Sequence, residues 1–298
     1  MIRNRFKTTT EGLRPSFPLT LYGKAKRFFW DPAGLDFSQD RASYTRLAPE
    51  ARTALTHLAS LFIAGEEAVT LDLLPLLGVV AREGRLEEEM YLTTFLLDEA
   101  KHVEFFHRLL EAMGSTGQDL ERFHGPSYRA IFYQALPQAM GRLVDDPSPE
   151  AQVEAVVTYT MVVEGVLAET GYYAYRRAAK VLGGQGFPLP ATLEGIGYVA
   201  RDESRHIAYG LYLLSRLLAQ NPQLWNVVER RMDELLPHAL GVVGEVFAQY
   251  PGGFPLPLSP EEFFQYAMGQ FQKRHRRLEV ARRQSLEEVE RLALEEEA

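Results

Sequence analysis

Two copies of one acid–imidazole pattern mark this chain. Asp98-Glu99-Ala100-Lys101-His102 is followed by Asp202-Glu203-Ser204-Arg205-His206, and both read Asp-Glu-x-x-His. Around the first copy, Tyr91, Leu92, Phe95, Leu96, Val103, Phe106, Leu109, Leu110 and Met113 recur at helical spacing. Glu99 and His102 stand at i and i+3, so both fall on that apolar stripe. A carboxylate buried there must be neutralised, paired or bound to metal. One Glu-x-x-His is common on helices and decides little. Here each copy is preceded, one helix earlier, by a glutamate in an apolar run: Glu66 before the first and Glu164 before the second.

The set Glu66, Glu99, His102, Glu164, Glu203 and His206 therefore offers four carboxylates and two imidazoles. One Glu from each of two helices and Glu-x-x-His from each of two others is the ligand set of ferritin-like carboxylate bundles. Four negative charges in a low-dielectric core need counter-charge, and two divalent cations supply it. Oxygen-rich ligation with one imidazole per ion suits iron and manganese; zinc prefers fewer ligands in tetrahedral geometry. His107, His124, His238 and His275 have no matching partners and are read as structural or exposed.

The elements that must position these residues are helices. A stripe of Leu55, Leu58, Leu61, Phe62, Val69, Leu73 and Leu76 marks a helix from Ala48 to Ala81, with a kink or break expected near Pro75. Arg85 to Met113 is a second, stopped by Gly114. Pro126 to Leu143 reads as a third, interrupted at Pro137. Ser148-Pro149 caps a fourth that ends at Gly183-Gly184. Pro190–Leu218, Pro222–Tyr250 and Pro260–Leu294 complete the set. Alternating strand patterns are scarce, so the expectation is a single all-α domain over residues 1–298, with the ligand set pointing to a ferritin-like four-helix bundle core and additional helices. Residues 1–45, with Pro15, Pro18 and Pro32, are expected to be irregular around an aromatic knot, Phe28-Phe29-Trp30. The charged stretch 277–298 is expected to be a frayed or disordered tail.

Composition agrees with a packed domain: 46% of the 298 residues are hydrophobic and 24% charged. A net charge of −8 argues against general nucleic-acid binding. With no cysteine, disulfides, thiolate metal sites and cysteine nucleophiles are excluded. No uninterrupted apolar run approaches the about 18 residues of a transmembrane helix. The basic start, Met1 to Lys7, lacks the apolar stretch of a secretory signal, which leaves a cytoplasmic location as the expectation.

The sequence resembles the radical-subunit branch of the ribonucleotide reductases. Within it, the chain is most similar to the ligand-binding oxidases that hold a long-chain fatty acid at a mixed Mn/Fe centre. The matching stretches are Gly65-Glu66-Glu67-Ala68-Val69-Thr70-Leu71-Asp72, Asp98 to His102, Tyr159 to Glu164 and Asp202 to His206, within about residues 45–215. The resemblance implies a dimetal oxidase that activates O2 at Mn/Fe or Fe/Fe, a fatty-acid ligand, a homodimer, and an ether cross-link between Tyr159 and the β-carbon of Val69. It also implies that Asp202 serves His102 and Asp98 serves His206.

Val69 is i+3 from Glu66 and shares its face. Tyr159 is five residues before Glu164 and about 140° off a straight stripe; a π-bulge near Thr160-Met161 would correct that. The radical tyrosine of true reductase subunits typically follows the first metal histidine by four residues, where this chain has Phe106. No Phe, Trp or Tyr follows Phe271. Both features speak against the alternative of a radical-generating subunit. Trp30 is read as packed core, with electron entry as its other possible role. A non-redox or iron-storage bundle is the remaining alternative, and tight metal binding without O2 consumption would favour it.

Overall fold

The computed structural model describes residues 6–295, so most of the basic start and residues 296–298 of the charged tail lie outside the described residues. Among the described residues there is no strand. The long helices are α1 (Phe17–Arg27), α2 (Ser38–Arg46), α3 (Pro49–Arg82), α4 (Leu86–Met113), α5 (126–142), α6 (Pro149–Gly184), α7 (Pro190–Gln220), α8 (Trp225–Ala248), α9 (Pro260–Ala281) and α10 (Leu286–Glu295). The architecture is all-α, as the helical periodicity predicts, and ferritin-like, as the ligand set predicts.

Four expectations are corrected, all about prolines or charges whose position matters more than their presence. Residues 1–45 are not irregular throughout: α1 and most of α2 lie in them. Pro18 and Pro32 open helical segments instead of interrupting them, occupying first-turn positions whose N–H needs no partner. Ser16 caps α1 through the Leu19 N–H. Pro75 does not break α3, which runs continuously past it. The charged stretch after Arg276 is helical as far as Glu295, with a break between α9 and α10. Leu278, Ala281 and Val289 are buried, and this apolar side holds the charged helices to the body. In α5 the irregularity precedes Pro137, as a π-helical turn over Ala130–Ala135.

Two apolar clusters fill the interior. One contains Val69, Tyr91, Phe95, Tyr159 and Tyr209; the other contains Phe62, Phe105, Phe106, Tyr172 and Val199. On α3, α4 and α7 the acid and imidazole positions fall where the helix passes from one cluster to the other. α6 is apolar and long enough to span a membrane by composition, yet 83% of its most apolar window is buried inside the protein. Its hydrophobicity is spent on the core. The middle of α6, Val157–Ala168, is a π-helix.

Candidate metal centre

α3 contributes Glu66, α4 Glu99 and His102, α6 Glu164, and α7 Glu203 and His206. All six are buried. Their ligand atoms form two groups, Glu66/Glu99/His102/Glu203 and Glu99/Glu164/Glu203/His206, with the atoms of each within 4.8 Å of one another. Glu99 presents Oε2 to His102 Nδ1 at 3.6 Å and Oε1 to His206 Nδ1 at 3.3 Å. Glu203 presents Oε1 to His102 Nδ1 at 3.4 Å and Oε2 to His206 Nδ1 at 3.6 Å. Glu66 reaches only His102, at 3.4 Å, and Glu164 only His206, at 3.5 Å. The site is thus nearly two-fold: two shared carboxylates in the middle and one terminal carboxylate with one imidazole at each end.

The donor set fits a pair of cations. Glu99 Oε2, His102 Nδ1, both oxygens of Glu164, Glu203 Oε2 and His206 Nδ1 are buried without a hydrogen-bond partner among the described residues. Orphaned polar atoms at that density are expensive, and all of them converge on one spot. The protonation equilibria report the same crowding. Burial pushes the Glu66 carboxyl up to about 8, against the pull of His102. Burial and the neighbouring Glu203 charge raise Glu164 well above the carboxylate range. Burial opposes charge on the imidazoles too, but Glu66 and Glu203 outweigh it and raise His102 and His206 respectively. Divalent cations binding here would displace those protons.

Behind the imidazoles lies a second charged group. Asp202 Oδ2 faces His102 Nε2, and Asp98 Oδ2 faces His206 Nε2, each at 3.4 Å. The crossed arrangement fixes which ring nitrogen points inward. Lys101 Nζ bridges Asp98 and Asp202 at 2.7 and 3.1 Å. Arg205 Nη2 bridges the same two at 2.9 and 2.7 Å. Two acids and two bases balance, so the extra aspartates add no net charge beneath the carboxylate cluster. Burial pushes both aspartates up, but the histidines and these cations hold them below the usual range. Lys101 and Arg205 escaped the sequence reading, although each stands three residues after its aspartate. The Trp30 Nε1–H donates to Asp202 Oδ2 at 2.7 Å, a contact without any signal in the sequence.

The π-helical stretch of α6 carries both Tyr159 and Glu164, and it covers Thr160-Met161, where a bulge was expected. Its wider turn brings the buried Tyr159 hydroxyl to Glu99 Oε1 at 3.1 Å and to the Val69 carbonyl at 3.4 Å. Gly165 packs tightly within this turn. A Cβ there would press on the Thr160 carbonyl and on Arg274, so the glycine permits the π turn itself. Gly65 and Ala168 line a cavity that reaches Glu66, Val69, Glu99, Glu164 and Glu203. Away from those acids its wall is apolar, with Leu58, Phe62, Leu167, Val243 and Phe254 among its members.

Residues 17–266 match the family model for the ribonucleotide reductase small chain. An R2-like ligand-binding oxidase with an aerobically reconstituted Mn/Fe cofactor is 40% identical, with a TM-score of 0.86 over 93% of this chain and 98% of that one. The chain belongs to the R2-like ligand-binding oxidases of that family. A valine-to-isoleucine variant of such an oxidase matches at 40% identity and TM-score 0.86, over 92% of this chain and 99% of that chain. A tyrosine-to-phenylalanine variant matches at 40% and 0.84, over 93% and 98%. Family membership and the buried carboxylate–histidine cluster together support a dimetal oxidase. In this R2-like oxidase, Phe106 is fully buried and stacked on Phe62 at 4.8 Å.

Proposed function

We propose that the chain is an O2-activating Mn/Fe oxidase whose metals are held by Glu66, Glu99, His102, Glu164, Glu203 and His206. Di-iron occupancy is the variant reading. The observation that carries it is the double approach of Glu99 and Glu203 to both imidazoles, the arrangement expected of carboxylates shared between two cations. When bound, the metal pair supplies the reduction of O2. The protein's part is to hold the reacting groups and exclude water.

The same reading joins the Tyr159 oxygen to the Val69 β-carbon. Tyr159 O–H and Val69 Cβ–H are lost, one O–C bond forms, and two protons and two electrons pass to O2. The hydrogen bond to Glu99 holds the phenol at the site and gives its proton a first acceptor. Val69, one turn after Glu66, keeps a tertiary C–H on the metal-facing side of α3. Proximity of this kind is what an unactivated C–H requires.

The cavity supports a long-chain fatty acid as ligand: one polar end among the carboxylates, the remainder apolar. Four carboxylates alone would repel an acid headgroup, so the cations are a condition of that binding. A cytoplasmic homodimer completes the proposal, with Leu71 and Leu74 of α3 and Leu97 of α4 as exposed apolar positions on adjoining helices. The test is aerobic loading with manganese and iron, followed by metal analysis, O2 uptake and extraction of bound lipid. Tight metal binding with no O2 uptake would instead indicate a non-redox bundle.

A further inference from the structure

The two imidazoles look outward onto different surroundings. His102 backs onto Asp202 and Trp30, whereas His206 lies flat on Phe95, with centroids 3.5 Å apart and planes 8° apart. From Phe95 a line of buried aromatic rings leads away from the carboxylates. Phe95 to Tyr91 is 6.1 Å and Tyr91 to Tyr209 is 5.1 Å between centroids. Phe95 also meets the Tyr159 ring edge-on at 5.8 Å, so the line touches both the candidate metal centre and its tyrosine.

The line ends in a proton acceptor. The Tyr209 hydroxyl donates to Glu88 Oε2 at 3.0 Å. Arg85 pairs with that same carboxylate, and Arg216 Nη1 lies 3.0 Å from Glu88 Oε1. Glu88 is itself buried, beneath the partly exposed Arg216. Tyr91 is fully buried like Tyr209, but its hydroxyl has no partner among the described residues. It has nowhere to send a proton, so it suits passage of an electron and not storage of a radical. Core packing accounts for the rings and for a satisfied Tyr209 hydroxyl; what singles out Tyr209 is that it alone of the two phenols beyond Phe95 has a carboxylate to take its proton.

We propose that Tyr209 is a second oxidisable group of the centre, reached through Phe95 and Tyr91. It serves when Tyr159 and Val69 do not consume the oxidising equivalent. Tyr209 loses one electron to the O2-oxidised metal centre and its phenolic proton to the Glu88 carboxylate, leaving a neutral tyrosyl radical on Tyr209 and a centre reduced by one electron. The oxidising equivalent is thereby moved away from the carboxylates and Tyr159 to a phenol whose proton has an acceptor. This rests on the dimetal-oxidase reading above.

The test is freeze-quenched paramagnetic resonance of the Mn/Fe-loaded Tyr159→Phe protein after a pulse of O2, with metal content and O2 uptake measured on the same samples. The expected result is a transient tyrosyl signal that narrows when tyrosine is supplied ring-deuterated. That signal should be absent from Tyr159→Phe/Tyr209→Phe, with metal content and O2 uptake equal to those of the Tyr159→Phe parent. Glu88→Gln in the Tyr159→Phe background, which removes the proton acceptor, should also lose it. Normal O2 uptake with no tyrosyl signal, with a tryptophanyl signal instead, or with a signal that survives Tyr209→Phe, would overturn the relay alone. Metal-loaded protein that takes up no O2 would overturn the oxidase reading and the relay with it.

Discussion

Tyr159 donates its phenolic proton to Glu99 Oε1 at 3.1 Å, from a π-helical turn of α6 to a carboxylate of α4. Glu99 is also one of the two acids that face both imidazoles. A phenol fastened to a shared carboxylate is a phenol placed where oxidation would occur.

The first prediction follows from that placement. Oxygenated Mn/Fe-loaded protein should yield, on digestion, one joined peptide containing Tyr159 and Val69, lighter than its two parts by two hydrogens. Metal-free protein and Tyr159→Phe should yield separate peptides only. Separate peptides from fully loaded, oxygenated wild type would remove the cross-link and leave the dimetal oxidase standing.

A second prediction concerns radicals in the unaltered protein. Phe106 occupies the position of the radical tyrosine, packs on Phe62 and has no phenol to oxidise. Paramagnetic resonance of oxygenated wild type should therefore show metal-centred signals and no persistent tyrosyl line. A tyrosyl signal lasting minutes, or deoxynucleotide formation with a reductase large subunit, would support the radical-subunit alternative.

Much of this site is legible in the sequence because its chemistry is repeated. The doubled Asp-Glu-x-x-His supplies position, spacing and charge at once, and Glu66 and Glu164 gain meaning from it. What escaped has a physical reason in each case. Trp30 meets Asp202 across 172 residues, a contact set by how α1 and the following turn lie on the bundle, which no local pattern encodes. The N-terminal helices were hidden because a proline reads as a breaker until its place in the first turn is known. The tyrosine line from Tyr91 to Tyr209 is apolar by periodicity, and only the structure sets it against Glu88. The π turn was legible solely through a conflict, Tyr159 falling off the stripe that Glu164 defines.

The third prediction is a close-packing effect. Gly210 of α7 lies against the Thr160 side chain in the π turn, and a Cβ added there would overlap it. Gly210→Ala should destabilise the protein by about 1–3 kcal/mol in thermal or urea melts, the usual range for overpacking. By displacing the turn that carries Tyr159 it should also lower the yield of the joined peptide. An unchanged melt and an unchanged yield would mean that the contact relaxes freely.

The fourth is a pH effect remote from the candidate metal centre. His57 is buried, stacked on Phe123 at 4.6 Å, with Nδ1 3.3 Å from the Tyr250 hydroxyl. Burial, reinforced by His124, lowers it from 6.5 to about 4. The unfolded chain therefore binds the proton more readily than the folded one in that window. The stability concerned is present above about 6.5 and is lost as pH falls towards 4, on the order of 3 kcal/mol in all. His57→Phe should flatten the fall in urea stability between those pH values. An equally steep fall in the variant would place the titrating group elsewhere.

The central claim is that six residues hold two metals through shared carboxylates, and elemental analysis of wild type beside Glu99→Ala tests it most directly. Wild type loaded aerobically with manganese and iron should carry two metal atoms per chain. It should also melt at a higher temperature than the metal-free protein, since the cations bind the folded state and relieve four crowded carboxylates. Glu99→Ala, lacking a ligand common to both groups, should lose affinity at both positions. Two metals per chain at unchanged affinity in Glu99→Ala would contradict the assignment.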